Sequence, residues 1–225
     1  MLPRGVAVSA AVLAATGGFT TLDGADVATV VAVVLASYVL GSVPAAVVVA
    51  RRRQVDIRAV GDSNPGFWNT KESLGFRASL PVLVIDATKG IAAAALGTVM
   101  LHRLAGPLDA ASLWWLPYLA GLAAMVGHAW PVFAGFRGGR CVLTFLGAWV
   151  VINPVELLVA LAVCLLLWAV VLRFSLAARV GVFALPVVQA FADPRSHVAM
   201  TGVMMTLIGF RFWLAHRAGH PSHVR

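Results

Sequence analysis

Residues 80–101 read LPVLVIDATKGIAAAALGTVML, a run in which Asp86 and Lys89 are the only charged side chains. A helix rising 1.5 Å per residue crosses a hydrocarbon core of about 30 Å with roughly 20 residues, so a run of this length and apolarity predicts a membrane span. Ionisable groups inside a span face protein or water, not lipid. Asp86 and Lys89 stand three positions apart, on one helical face. They lie five to eight residues inside the span, about 8–12 Å from its edge. Two uses fit that placement: the base of a polar pocket open to one side of the membrane, or a purely structural ion pair.

Outward from this run the pattern repeats. Further apolar stretches cover 27–50, 113–134, 141–152, 155–172, 180–192 and 198–215, each bounded by Arg, Asp, Gly or Pro. The runs 141–152 and 180–192 fall short of a straight crossing and are expected to be tilted, extended or re-entrant. Hydrophobic residues make up 60% of the 225 and charged ones 12%, with a mean hydropathy of +0.91. A chain this apolar is solvated by lipid. The predicted fold class is all-α: a polytopic transmembrane helical bundle of about seven spans, two of them short.

The net charge of +8 could suggest a nucleic-acid partner in a soluble protein, but membrane proteins concentrate Lys and Arg on cytoplasmic loops. Assigning alternate loops to opposite sides places Arg51, Arg52, Arg53, Arg58, Lys71, Arg77, Arg137, Arg140, Arg173, Arg179, Arg211, Arg217 and Arg225 together, thirteen of the seventeen basic residues. Arg4, Arg103 and Arg195 fall opposite. The expectation is a multi-pass protein of the cell (plasma) membrane with a cytoplasmic carboxyl terminus, loops 51–79, 135–140 and 173–179 on the same side, and no nucleic-acid partner.

Residues 1–26 read as a signal-like or interfacial segment, or an extra span, followed by a short polar loop. Residues 27–215 read as a single membrane-embedded domain and 216–225 as a polar tail. Cys141 and Cys164 sit in or beside apolar runs, which argues against a disulfide framework or a cysteine metal site. No metal ligand set and no cofactor motif is expected.

Three polar blocks interrupt the apolar pattern. The first is 51–79, RRRQVDIRAVGDSNPGFWNTKESLGFRAS, entered through Gly41-Ser42-Val43-Pro44. Loops of this length are functional or disordered. Its Arg51-Arg52-Arg53 triplet reads as a membrane-surface anchor, whereas Arg58 precedes a segment, Gly61 to Asn69, whose small residues can turn backbone N–H groups toward an anion. The second block is the Asp86 and Lys89 pair. The third runs from Gly127-His128 to Pro131 and Phe133, and on through Gly135-Phe136-Arg137-Gly138-Gly139-Arg140 to Thr144. A glycine pair beside Arg at a helix start suits phosphate, because orphan N–H groups and the helix dipole both favour an anion there. His128 taken alone reads equally as a packing residue or a ligand contact.

In this order the blocks resemble the bacterial acyl-phosphate:glycerol-3-phosphate acyltransferase family. The matching residues are Gly41-Ser42-x-Pro44; Asp56-Ile57-Arg58-x-x-Gly61 with Asn64, Gly66 and Asn69; Asp86-x-x-Lys89-Gly90; and Gly127-His128-x-x-Pro131-x-Phe133 through Gly138-Gly139-Arg140. The resemblance covers roughly residues 36–144. It implies a membrane acyltransferase of phospholipid synthesis that moves a fatty acyl group from an acyl phosphate to glycerol 3-phosphate, giving lysophosphatidic acid and phosphate. It further implies catalytic roles for Ser42, Arg58, Lys89 and His128, and phosphate binding by Asn64, Asn69, Gly138, Gly139, Arg140 and Thr144.

The chain departs from the family pattern at several positions. Where the family reads Gly-Ser-Gly-Asn, this sequence has Gly61-Asp62-Ser63-Asn64. Asp62 there repels a phosphate unless it turns away or pairs with an arginine. Phe67 and Trp68 replace small and hydroxyl residues, and Phe212 and Ala215 stand where the family carries His and Asn after an Arg, here Arg211. Two other uses of the same residues stay open at this point: a non-catalytic lipid-binding or regulatory relative, and a small transporter of an anionic metabolite, for which Asp86, Lys89 and the short spans are the supporting features.

Overall fold

The computed structural model describes residues 23–105, 113–171 and 174–218. Residues 1–22 of the signal-like segment and 219–225 of the polar tail lie outside them. All regular structure among the described residues is helical.

Helix α1, Gly24–Gly41, opens with a capping box in which Asp26 N–H donates to Asp23 Oδ1 at 2.8 Å and Asp23 N–H to Asp26 Oδ2 at 3.3 Å, satisfying two of the orphan donors at a helix start. It stops at Ser42-Val43-Pro44, where proline lacks an N–H and pushes its predecessor out of helical geometry. The chain resumes as α2, Ala45–Arg51. The expected run 27–50 is thus one broken span, Gly24–Arg51. After the polar loop, α3 covers Phe67–Leu74 and ends at Gly75, whose φ of +86° glycine adopts readily. Helix α4, Phe76–Ala105, starts before Pro81 and carries that proline inside its second turn.

Helix α5, Leu116–Ala129, has Pro117 in its first turn and leads through a 3₁₀ turn, Val132–Ala134, into the glycine-rich segment. Four helices follow: α6, Val142–Ile152; α7, Pro154–Val171; α8, Phe174–Ala192; and α9, Arg195–Arg217. Among the described residues, each of the seven expected apolar runs is mainly helical, and four spans are long and apolar enough to cross a membrane: Gly24–Arg51, Phe76–Leu104, Leu116–Ala134 and Arg195–Arg217. The run 141–152 forms a short helix of 11 residues, as its length implied. One expectation is overturned. The segment 173–179, read as a loop, is helical from Phe174 onward, because Leu176, Ala177, Ala178 and Arg179 are strong helix formers and a single arginine does not end a helix.

Helices in lipid gain no hydrophobic drive to associate and rely on close backbone approach through small residues. Two of the crossings built this way position the site. A Cβ on Gly90 of α4 would collide with the Thr144 carbonyl of α6, and one on Gly147 of α6 with the Ala87 carbonyl of α4. Between α1 and α5 the same holds for Gly41 against the Ala124 carbonyl and Gly127 against the Tyr38 carbonyl. These contacts draw the α4 charges, the end of α5 and the start of α6 to one end of the bundle. Large apolar side chains such as Leu35, Leu166 and Phe191 are left exposed, suited to lipid.

The opposite ends of α5 and α6 meet in a second polar cluster. Tyr118 Oη donates to Asn153 Oδ1 at 3.2 Å and accepts from Gln189 Nε2 at 3.1 Å. Asn153 Nδ2 and Gln189 Nε2 each donate to Asp193 Oδ2 at 3.0 Å. This network fastens the ends of α6 and α8 to the start of α5.

Candidate functional site

The α4 charges form the floor of the site. Lys89 Nζ donates to Asp86 Oδ1 at 2.6 Å, and His128 Nδ1 lies 3.5 Å from the same oxygen. All three side chains are buried. An ammonium has three N–H donors, so the Asp86 contact leaves Lys89 two more. A small cavity opens beside them, lined by Pro44, Asp86, Lys89, His128, Gly138 and Gly139.

The glycine-rich segment forms one wall. Gly138 N–H donates to the Ala129 carbonyl and Gly139 N–H to the His128 carbonyl, both at 3.1 Å. Their own carbonyls accept from Arg211: Nη2 to Gly138 at 2.7 Å and Nε to Gly139 at 3.0 Å. The Arg211 guanidinium also stacks over Trp130. Gly139 is packed so tightly that a Cβ would strike His128 Nε2. The two glycine N–H groups are therefore engaged within the protein. The orphan donors of this segment belong to the first turn of α6, entered through Cys141 at φ +65°. Thr144 sits in that turn, with its Oγ1 buried and without a hydrogen-bond partner.

The loop between α2 and α3 forms the facing wall. Arg58 Nη2 donates to the Ala134 carbonyl at 2.9 Å and the Arg137 carbonyl at 2.7 Å, stapling the two walls together. Its Nε is buried without a partner. Partial burial lowers the Arg58 pKa from its ordinary value, Asp56 opposing and Arg137 and Arg51 reinforcing the shift; a guanidinium nonetheless stays charged. Asn69 is the spine of the loop. Its Nδ2 donates to the Ile57 carbonyl at 2.9 Å and the Val60 carbonyl at 3.0 Å, while Oδ1 accepts from Ser73 Oγ at 3.1 Å. Gly61, at φ +57°, lies directly on that Asn69 oxygen.

The carboxylate introduced by Asp62 is neutralised. Its Oδ2 accepts from Arg140 Nη1 at 2.7 Å and its Oδ1 from Asn64 N–H at 3.1 Å. Arg140 lies in turn over the Phe212 ring, 4.7 Å from its centroid. Of the residues singled out in the sequence, Arg58, Lys89, His128, Gly138, Gly139 and Arg140 gather at one end of the bundle. Ser42, Asn69 and Thr144 are buried there too. Ser42 Oγ donates to the Tyr38 carbonyl at 2.9 Å. Asn64 lies beside Gly66.

Sequence reasoning missed two supports, the Arg211 grip on the glycine carbonyls and the bond from Tyr38 Oη to the Trp130 carbonyl at 2.9 Å; for Asp62 it named an arginine as one resolution without saying which. Arg211 carried a signal, a guanidinium within an apolar run, that the loop-charge count absorbed.

Comparison with known proteins agrees with this geometry. The family model described as glycerol-3-phosphate acyltransferase matches residues 30–220. A glycerol-3-phosphate acyltransferase 3 from Dehalococcoides mccartyi (strain CBDB1) is 39% identical over 132 residues, 57% of this chain and 61% of that one; the match thus spans less than two thirds of that relative. The glycerol-3-phosphate acyltransferase of Chlorobaculum tepidum is 32% identical over 191 residues, 84% of this chain and 81% of that one. Among solved structures, the glycerol 3-phosphate form of PlsY (YgiH), an integral membrane glycerol 3-phosphate acyltransferase, superposes with a TM-score of 0.69 at 28% identity, covering 84% of this chain and 89% of the other. Its lysophosphatidic acid form gives 0.65 at 26% identity, covering 81% and 87%. The shared helical architecture and the family match over nearly all of the described span place this chain in the glycerol-3-phosphate acyltransferase family.

Proposed function

We propose that this protein transfers a fatty acyl group from an acyl phosphate to glycerol 3-phosphate, releasing lysophosphatidic acid and inorganic phosphate. The observation that carries the reading is the convergence of Lys89, His128, Arg58 and Arg140 around the Gly138–Gly139 wall at one end of the bundle. Both substrates carry phosphate and one carries a long alkyl chain, so a cationic site at a membrane edge suits the pair. The related PlsY structures hold glycerol 3-phosphate and lysophosphatidic acid.

In this reading a hydroxyl oxygen of glycerol 3-phosphate attacks the acyl carbonyl carbon. The new C–O ester bond forms as the bond from that carbon to the phosphate oxygen breaks, and the hydroxyl proton leaves with the phosphate. An acyl phosphate is already activated, so no protein nucleophile enters; positioning and charge neutralisation supply the acceleration. Lys89 neutralises a substrate phosphate, with Asp86 holding both its ammonium and the His128 ring. Arg140 and the first turn of α6, with Thr144, receive the acyl phosphate. Arg58 fixes the 134–137 turn and offers its remaining donors to phosphate. Ser42 and Asn69 shape the site through the backbone, and Asn64 braces the Gly61–Asn69 loop.

The gathering of basic residues on these loops supports a cytoplasmic face of the plasma membrane for this end, with the carboxyl terminus inside. The test is to incubate purified protein in nanodiscs with palmitoyl phosphate and glycerol 3-phosphate, following lysophosphatidic acid and phosphate together. Equimolar appearance of both is expected. Phosphate release without acylated product, or no turnover in folded protein, would sink the reading.

A further inference from the structure

Asp62 and Arg140 stand 78 positions apart and join the two walls of the site. Three observations bear on what that bridge does. Both side chains are nearly buried, at 8% and 11% exposure. Asp62 uses both oxygens, one for Arg140 and one for the Asn64 N–H. Arg140, by contrast, is only partly satisfied: Nη1 has the carboxylate, while Nε is buried without an acceptor. A lone carboxylate oxygen thus holds one donor of a guanidinium whose planar fork can grip two oxygens of one anion.

We propose that Asp62 is a built-in stand-in for the substrate phosphate, occupying Arg140 in the resting protein and giving it up when a phosphate arrives. The inference rests on the acyl-phosphate reading above and deepens it by naming the residue that sets anion affinity and selectivity. Only a ligand that satisfies more of Arg140 than Asp62 does, and brings more charge, displaces the carboxylate. A phosphate dianion with three oxygens meets that demand. The carboxylate of a free fatty acid matches Asp62 in charge and competes less well for Arg140 than a phosphate dianion does. The bridge also draws the two loops together, so its opening couples phosphate arrival to loosening of the walls.

The test uses full-length protein in nanodiscs and inorganic phosphate as probe, with apparent affinity read from the phosphate dependence of the thermal midpoint. Asp62→Asn keeps the shape and the oxygen that accepts from Asn64 but removes the charge. Phosphate should then bind about tenfold tighter, the order of one charge-assisted hydrogen bond released from competition. Asp62→Ser is the second variant should Asp62→Asn fail to fold. In an Arg140→Gln background the same substitution should change nothing, which separates competition at Arg140 from a general loss of negative charge. Unchanged or weaker phosphate binding in a folded Asp62 variant overturns the proposal, as does a gain that persists without Arg140. The two readings fail separately. Tighter phosphate binding with no lysophosphatidic acid from the wild type discards the reaction and keeps Asp62; turnover without tightening does the reverse.

Discussion

Gly139→Ala isolates the contact between the glycine wall and His128. The added methyl would land on His128 Nε2, with Cδ2 of the same ring and the Pro65 carbonyl oxygen each 3.2 Å away. The ring cannot swing freely, since it is buried and its Nδ1 lies 3.5 Å from Asp86. Restoring an ordinary contact of about 3.5 Å requires the ring or the wall to move on the order of 1 Å. Overpacking of this kind costs about 1–3 kcal/mol of stability, and a displacement of ~1 Å at a reacting centre costs roughly a hundredfold in rate. Gly139→Ala is therefore expected to lose about two orders of magnitude in kcat/KM with a modest drop in thermal midpoint. Gly135→Ala is the control: its φ is +61° and nothing lies within 4 Å of an added Cβ, so it should lose about 1 kcal/mol through backbone strain alone and keep its turnover. Acyl transfer and thermal unfolding of the two variants, side by side in the same nanodiscs, decide the matter. Wild-type kcat/KM in folded Gly139→Ala would refute the assignment of His128 to the site.

Ser63 occupies φ +57° at a position where the family carries glycine, so Ser63→Gly should raise stability by about 1 kcal/mol, visible as a higher thermal midpoint. Arg58→Lys removes the Nη2 that donates to both the Ala134 and Arg137 carbonyls and the guanidinium donors proposed for phosphate, and should lower kcat/KM about tenfold to a hundredfold, for ~1.5–3 kcal/mol. Arg52→Lys, a surface anchor, should match the wild type in the same assay. Single cysteines at Lys71 and Arg217, in a background lacking Cys141 and Cys164, should be labelled from the same side of the membrane in intact cells; labelling from opposite sides would contradict the charge-based orientation.

What the sequence conveyed and what it withheld divide along the range of the interactions. Spans were legible because a run of apolar residues commits the backbone locally, whatever its neighbours. The Asp86–Lys89 pair was legible because three residues make a helical face. The helix across 174–179 was misread because an arginine and a change in hydropathy mark the end of an apolar run but not the end of a helix. The Asp62–Arg140 bridge, the Arg211 grip on Gly138 and Gly139, and the Tyr118, Asn153, Gln189 and Asp193 network join residues far apart in the chain. They exist only once the helices have crossed at Gly90 and Gly147. A requirement for some partner was foreseeable at Asp62; which arginine supplied it was not.

The brevity of α6 thins the insulation within the bundle. Its 11 residues rise only about 16 Å, against a hydrocarbon core of about 30 Å. At one tip stands the glycine wall and at the other the Asn153 amide. Polar groups therefore approach each other across roughly half the usual insulating thickness. The thinning lies inside the protein: α6 is wrapped by its neighbours, Val150 being its one exposed large side chain, and the longer spans meet the lipid.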